Sequence, residues 1–151
     1  MSQITVKPLT QEAFNDFVNL INALADYEKL PRPDESAIGR LRRDAFSVLP
    51  RFWAWIAYSN DIPVGYAIAF ETYSSFLAKP TMYLEDLFVL ESARGKGAGG
   101  LLFDTVRNLA SERECGRMDW TVLDWNDLAQ DFYTNRGASW LEEWRLFRLD
   151  M

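Results

Sequence analysis

The chain has 151 residues, nearly half of them hydrophobic, with six tryptophans; that suits one globular domain with a real core and excludes a disordered chain. It has no histidine and one cysteine, Cys115, which excludes the usual zinc site, an internal disulfide and any mechanism using a histidine base. Acids outnumber bases, 22 to 16, for a net charge of −6; that sign repels nucleic acid and favours small cations at long range, although solubility alone accounts for most such charges.

The start, "MSQITVKPLTQ", has no apolar core of signal-peptide length. No stretch approaches the ~20 apolar residues of a membrane span. A lone cysteine fits a reducing compartment. The expectation is a cytoplasmic protein with no membrane and no nucleic-acid partner.

Gln3 to Pro8 alternates and reads as a first strand. Thr10 then serves as N-cap for a helix from Gln11 to about Lys29, with Phe14, Phe17, Val18, Ile21, Leu24 and Ala25 on one face. "LPRPD" breaks it, and Glu35 to Phe46 reads as a second helix. "RFWAWIAY" and "IPVGYAIAFETY" form a hairpin turning at Asn60-Asp61. Met82 to Leu90 is a nearly continuous apolar strand, of the kind covered on both faces. Leu101 to Ala110 is helical, "MDWTVLDW" is a strand, and Asn126 opens a short helix that Gly137 ends. "ASWLEEWRLFRL" holds one or two closing strands. The order β-α-α-β-β-β-α-β-α-β describes a mixed-sheet α/β fold, read as a single domain over residues 1–151.

Between the long strand and the third helix lies R-G-K-G-A-G-G, Arg94 to Gly100. Glycines there let the main chain turn sharply and approach a ligand closely. The first N–H groups of the following helix then form a site for a phosphate or pyrophosphate. Arg94 and Lys96 add positive charge. Gly95, Gly97 and Gly100 formally satisfy the dinucleotide fingerprint, with Asp119 beyond. Too few residues follow for a doubly wound sheet, however, and the preceding half is a hairpin. A Walker A loop fails because glycine follows Lys96. The plainer alternative is a tight strand-to-helix turn with no ligand.

The turn keeps distinctive company. R-G-K-G-A-G fits the Arg/Gln-x-x-Gly-x-Gly/Ala pattern, and the chain resembles the GNAT superfamily of N-acetyltransferases, most closely its diamine branch, the spermidine/spermine and thialysine N-acetyltransferases. "ALADYEKL", "YLEDLFV", "ARGKGAG" and "VLDWNDLAQDFYTNRGA" carry the resemblance, and "EEWRLFRL" extends it. It spans nearly the whole chain. The resemblance implies a GNAT-like domain that uses acetyl-coenzyme A. Leu87, Phe88 and Val89 would pair their main chain with the pantetheine arm. Arg94, Gly95, Lys96, Gly97, Ala98, Gly99 and Gly100 would hold the pyrophosphate, and Asn126 would contact the cofactor. Tyr133 would be the general acid. Tyr27, Glu28, Glu85 and Asp86 would line the amine pocket, with Glu85 also catalytic. A homodimer is implied too.

The chemistry bears on these residues directly. An alkylamine of pKa ~10.4 is neutral in only about one molecule per thousand at pH 7, so producing the nucleophile costs roughly 4–5 kcal/mol. Without histidine, the proton acceptor is Glu28, Glu85, Asp86, or water ending on one of them. Glu85 and Asp86 sit mid-strand on opposite faces by the two-residue period, Glu85 with Tyr83 and Leu87, Asp86 with Leu84 and Phe88. Ionised carboxylates are too costly in an apolar sheet, so at least one faces a polar cleft or pairs with Arg40, Arg42 or Arg43. Periodicity leaves the choice of face open; the resemblance favours Glu85. Tyr133 follows Asn126 by two helical turns. Its bland alternative is a core aromatic, and that of Asn126 an N-cap.

The reading that follows is direct acetyl transfer in a ternary complex to a primary amine of a small cation, a polyamine or a thialysine-like amino acid. The alternatives are a non-catalytic acetyl-coenzyme A sensor and a peptide N-terminal acetyltransferase.

Overall fold

The computed structural model describes residues 3–151. They fall into two compact units, one running to Trp120 and one from Thr121.

The first unit is a five-stranded sheet carrying three helices. Its elements are β1 (Ile4–Pro8), α1 (Phe14–Tyr27), α2 (Glu35–Phe46), β2 (Trp53–Ser59), β3 (Ile62–Ser74), β4 (Lys79–Val89), α3 (Ala98–Glu112) and β5 (Arg117–Asp119). The strands lie side by side in chain order. The first three ladders are antiparallel, and β4 and β5 run parallel. A parallel pair needs a crossover, and α3 supplies it. The β2–β3 hairpin turns on Asn60 and Asp61, both at positive φ, as a two-residue turn matched to strand twist requires.

The sheet is covered on both faces. Phe14, Phe17 and Leu20 of α1 pack with Ile56, Tyr66, Ile68 and Phe88. On the other face, α3 buries Ala98, Leu102, Phe103, Val106 and Ala110. The β4 run is therefore apolar for the expected reason.

One irregularity in β4 decides the site. Ile68 pairs with Asp86, but the next residue, Ala69, pairs with Leu84. Glu85 is the extra residue of a β-bulge. Directly paired residues share a face, so Asp86 joins Ile68 on the α1 side while Leu84 joins Ala69 on the α3 side. The expectation that Asp86 shares a face with Leu84 is thus overturned, because the bulge resets the two-residue alternation.

The second unit contains α4 (Asp127–Asn135). Asn126 caps it, its Oδ1 accepting from the Ala129 N–H at 3.1 Å. Gly137, at φ 92°, ends it, with the Ala138 N–H bonded back to the Tyr133 carbonyl.

The expected element order holds through α4, with three corrections besides the bulge, the first that the strand expected from Met118 to Trp125 stops at Asp119. The closing strand is not formed: residues 138–151 join no sheet, and Trp140, Trp144, Phe147 and Leu149 are exposed. Aromatic and aliphatic residues of this kind favour a strand, but a strand needs an edge to pair with, and residue type alone supplies none. Thr10 is not the cap of α1; Ala13 occupies that position without a side-chain bond, after a turn in which its N–H reaches the Thr10 carbonyl. Among the described residues, no helix is long and apolar enough to cross a membrane.

Candidate active site

Two features meet at the end of β4 that carries the bulge. The first is an open strand edge followed by the glycine turn. The ladder between β4 and β5 covers only Thr81 to Tyr83. Among the described residues, Leu84 and the run from Asp86 to Val89 have a strand partner on the β3 side alone, the arrangement an extended ligand can complete by main-chain hydrogen bonds. A single 3-10 turn, Glu91–Ala93, then leads into the glycines. Gly95 and Gly97 adopt φ of 78° and 92°, with open space where a side chain would stand. Gly97 is the N-cap of α3, which has no side-chain cap and no acid in its first turn. Leu101 is the first residue there whose N–H closes a helical bond, to the Gly97 carbonyl. The N–H groups of Ala98, Gly99 and Gly100 therefore precede the intrahelical ladder, as anion-binding helix starts require.

Arg94 is held by contacts within the first unit. Its Nε donates to the Val89 carbonyl at 3.0 Å. Its guanidinium lies over the Tyr27 ring at 4.8 Å and near Phe88 at 5.8 Å. Lys96 is exposed.

The second feature is a cavity of about 300 Å³ lined by Ile21, Leu24, Ala25, Glu28, Leu30, Pro31, Pro33, Tyr66 and Asp86. The end of α1 and the proline-rich connection after it supply apolar walls. Glu28, the C-cap of α1, and Asp86 supply charge. Burial raises the carboxyl of Glu28 above its ordinary range. Asp86 is pushed up to about 6, first by burial, against a hydrogen bond from Tyr66 that lowers it, and further by the charges of Glu85 and Glu28. Carboxylates crowded in this way hold their protons unless a cation joins them.

The structure brings Glu28 and Asp86 into one cavity, with Glu85 close enough to act electrostatically on Asp86. Glu85 itself is exposed on the bulge, and Tyr27 stands at the end of α1 beneath Arg94. The arginines weighed as carboxylate partners are engaged elsewhere: Arg40 on Ser36, Arg42 over the Phe14 ring, Arg43 on Asp44. In the second unit, Tyr133 is half-buried on α4 beside Phe132, and Asn126 caps that helix.

Sequence reasoning missed Tyr66. It stands in an aromatic-rich strand, where one more tyrosine gives no signal; a short stretch of β3–β4 register would have exposed it.

An open strand edge, a glycine-led helix and an acid-lined cavity thus come together in one mixed α/β unit. The acetyltransferase (GNAT) family matches residues 15–138, and the chain belongs to that family. Members of it use acetyl-coenzyme A. The bovine thialysine N-epsilon-acetyltransferase is 30% identical over 99% of this chain and 94% of its own length. The L-ornithine N5-acetyltransferase NATA1 of Arabidopsis thaliana is 46% identical, but over 60% of this chain and only 40% of that protein. Among solved structures, an integron cassette protein from the mobile metagenome of V. cholerae superposes with a TM-score of 0.82, 28% identity and coverage of 98% and 93% of the two chains. The aminoglycoside N-acetyltransferase AAC(6')-Iy, solved with coenzyme A, shares the fold at a TM-score of 0.81 and 19% identity over 100% and 97%.

Proposed function

We propose that the chain transfers acetyl from acetyl-coenzyme A to a primary amine of a small cationic molecule, a polyamine or a lysine-like amino acid. The observation that carries this reading is the cavity in which Glu28 and Asp86 stand at the end of apolar walls. An alkyl chain fits such walls, and an ammonium group answers the carboxylates. The relatives that act on thialysine and ornithine support the same class.

In this reading the main chain of Leu87, Phe88 and Val89 holds the pantetheine arm, and the turn from Gly95 to Gly100 holds the pyrophosphate. The free N–H groups at the start of α3 and the open space above Gly95 and Gly97 suit that load. When bound, the cosubstrate supplies an activated acyl group. The chain's own residues manage the protons. Asp86, Glu28 and Glu85 draw the ammonium into place and receive its proton, directly or through water. Tyr133 returns a proton to the departing thiolate, and Asn126 orders α4 beside it in sequence. The active form is a homodimer. The exposed Trp140, Trp144, Phe147 and Leu149 support that, since a monomer rarely leaves such a run in water.

The test is thiol release from acetyl-coenzyme A with spermidine, ornithine, lysine, thialysine, an aminoglycoside and a peptide amine. Turnover on the short aliphatic cations is expected. Binding of acetyl-coenzyme A without turnover on any amine would leave a sensor instead. Tyr133→Phe is expected to lower kcat by about 100-fold, within the range for a lost general acid, with coenzyme A affinity kept.

A further inference from the structure

Tyr66 is fully buried, yet it carries a hydroxyl where a phenylalanine would pack as well. Its ring is held edge-on by Phe17 at 5.5 Å and Phe88 at 6.5 Å. It pairs across the sheet with Ile56 on one side and Phe88 on the other. Nothing in that packing needs the oxygen. The oxygen lies 2.9 Å from Asp86 Oδ2. An ionised carboxylate only accepts, so Tyr66 donates. The register of β3 against β4 brings this pair together: Tyr66 pairs with Phe88 and Ile68 with Asp86, so Tyr66 and Asp86 share the α1 side. Both residues line the same cavity.

We propose that Tyr66 is a positioning residue for the amine: its buried hydroxyl anchors one oxygen of Asp86 to the floor of the cavity and so presents the other to the substrate's ammonium group. A carboxylate on a bulge without an anchor would swing among rotamers, and each cation bound would first have to order it. A rigid ring clamped between Phe17 and Phe88 removes that cost beforehand. Tyr66 does not titrate in the working range, because burial, with Asp86, Glu28 and Glu85 around it, holds its proton far more tightly than in an ordinary tyrosine. The groups that act on Asp86 are Tyr66 from β3, Glu85 from its own strand and Glu28 from the end of α1. Of these, Tyr66 alone favours the charged carboxylate.

The inference rests on reading the cavity as the amine site, and its test separates the two. Asp86 is titrated by carboxyl 13C NMR in the wild type and in Tyr66→Phe, with no substrate present. Loss of the donor is expected to raise the Asp86 midpoint by roughly one pH unit, the size of one hydrogen bond to a charged group. With spermidine or ornithine, KM is expected to rise about tenfold while kcat changes little, and the acid limb of kcat/KM moves to higher pH. In an Asp86→Asn background, Tyr66→Phe should add almost nothing, whereas a purely structural role gives additive losses. An Asp86 titration unmoved by Tyr66→Phe overturns the proposal. A moved titration in a protein that acetylates none of the amines upholds the anchoring and sinks the amine reading instead.

Discussion

The Arg94 guanidinium lies over the Tyr27 ring, 4.8 Å from its centroid, joining the last residue before the glycine turn to the last residue of the first helix. With its Nε on the Val89 carbonyl, Arg94 ties the proposed cosubstrate loop to the end of α1, the helix that supplies part of the cavity's apolar wall. Arg94→Ala is expected to cost about 1–2 kcal/mol, from one cation–π contact and one charged hydrogen bond, or roughly 3–6 °C in Tm for a chain this long. Arg94→Lys is the informative variant. It keeps the charge but loses the planar stack and the Nε bond, so Tm should fall nearly as far. If lysine instead restores both Tm and coenzyme A affinity, the arginine acts as a charge and not as a tie.

Asp86 makes stability and activity pull in opposite directions. Its carboxyl titrates at about 6 in the fold against an ordinary 3.8. A folded value above the unfolded one means stability that is complete below 3.8 and lost as pH rises through 6. The gap amounts to about 3 kcal/mol of destabilisation at neutral pH. Asp86→Asn is therefore expected to raise the denaturant midpoint at pH 7.5 and to leave it nearly unchanged at pH 4. Acetylation of cationic amines should fall at the same time, the usual trade at a functional site. An equal stability change at both pH values would mean that charge burial is not the cause.

Much of this was legible in the chain. The glycine turn, the Asn60-Asp61 hairpin and the Asn126 cap all announce themselves, because each rests on a local preference of the residue type for a backbone state. The bulge at Glu85 has no such signature. It depends on how two strands slide against each other: Asp86 keeps the face it was expected to share with Phe88, and the one extra residue puts Leu84 on the other. Tyr66 was hidden for the same reason: its meaning lies in a pairing twenty residues away. The closing strand failed differently, since the apolar residues from Trp140 to Leu149 favour a strand by type but say nothing of what it would pair with.

Gly97 and Gly39 should respond to alanine with opposite signs. Gly97 holds φ of 92° at the start of α3, where a Cβ costs about 1–2 kcal/mol. Gly97→Ala is expected to lower Tm and to weaken coenzyme A binding by calorimetry, because relaxing the turn moves the N–H groups behind it. Gly39 lies inside α2, and a Cβ there would meet nothing within 4 Å. Gly39→Ala is expected to stabilise by roughly 0.5–1 kcal/mol and to leave coenzyme A binding alone. Undiminished coenzyme A affinity in Gly97→Ala would remove the turn from the cosubstrate site.

The exposed run at the end of the second unit gives a way to test assembly without disturbing the fold. Trp144 is 73% exposed and Phe147 88%, so replacing them removes little that the single chain buries, and such changes ordinarily stay within about 0.5 kcal/mol. Aromatic side chains of this size bury roughly 150–250 Å² each once covered, so several together contribute strongly to an interface. Trp144→Glu with Phe147→Glu is therefore expected to leave the unfolding of dilute protein almost unchanged while converting a dimer to a monomer in sedimentation equilibrium. If the wild type sediments as a monomer at tens of micromolar, the homodimer is wrong; if the double variant remains dimeric, the interface lies on another face of the molecule.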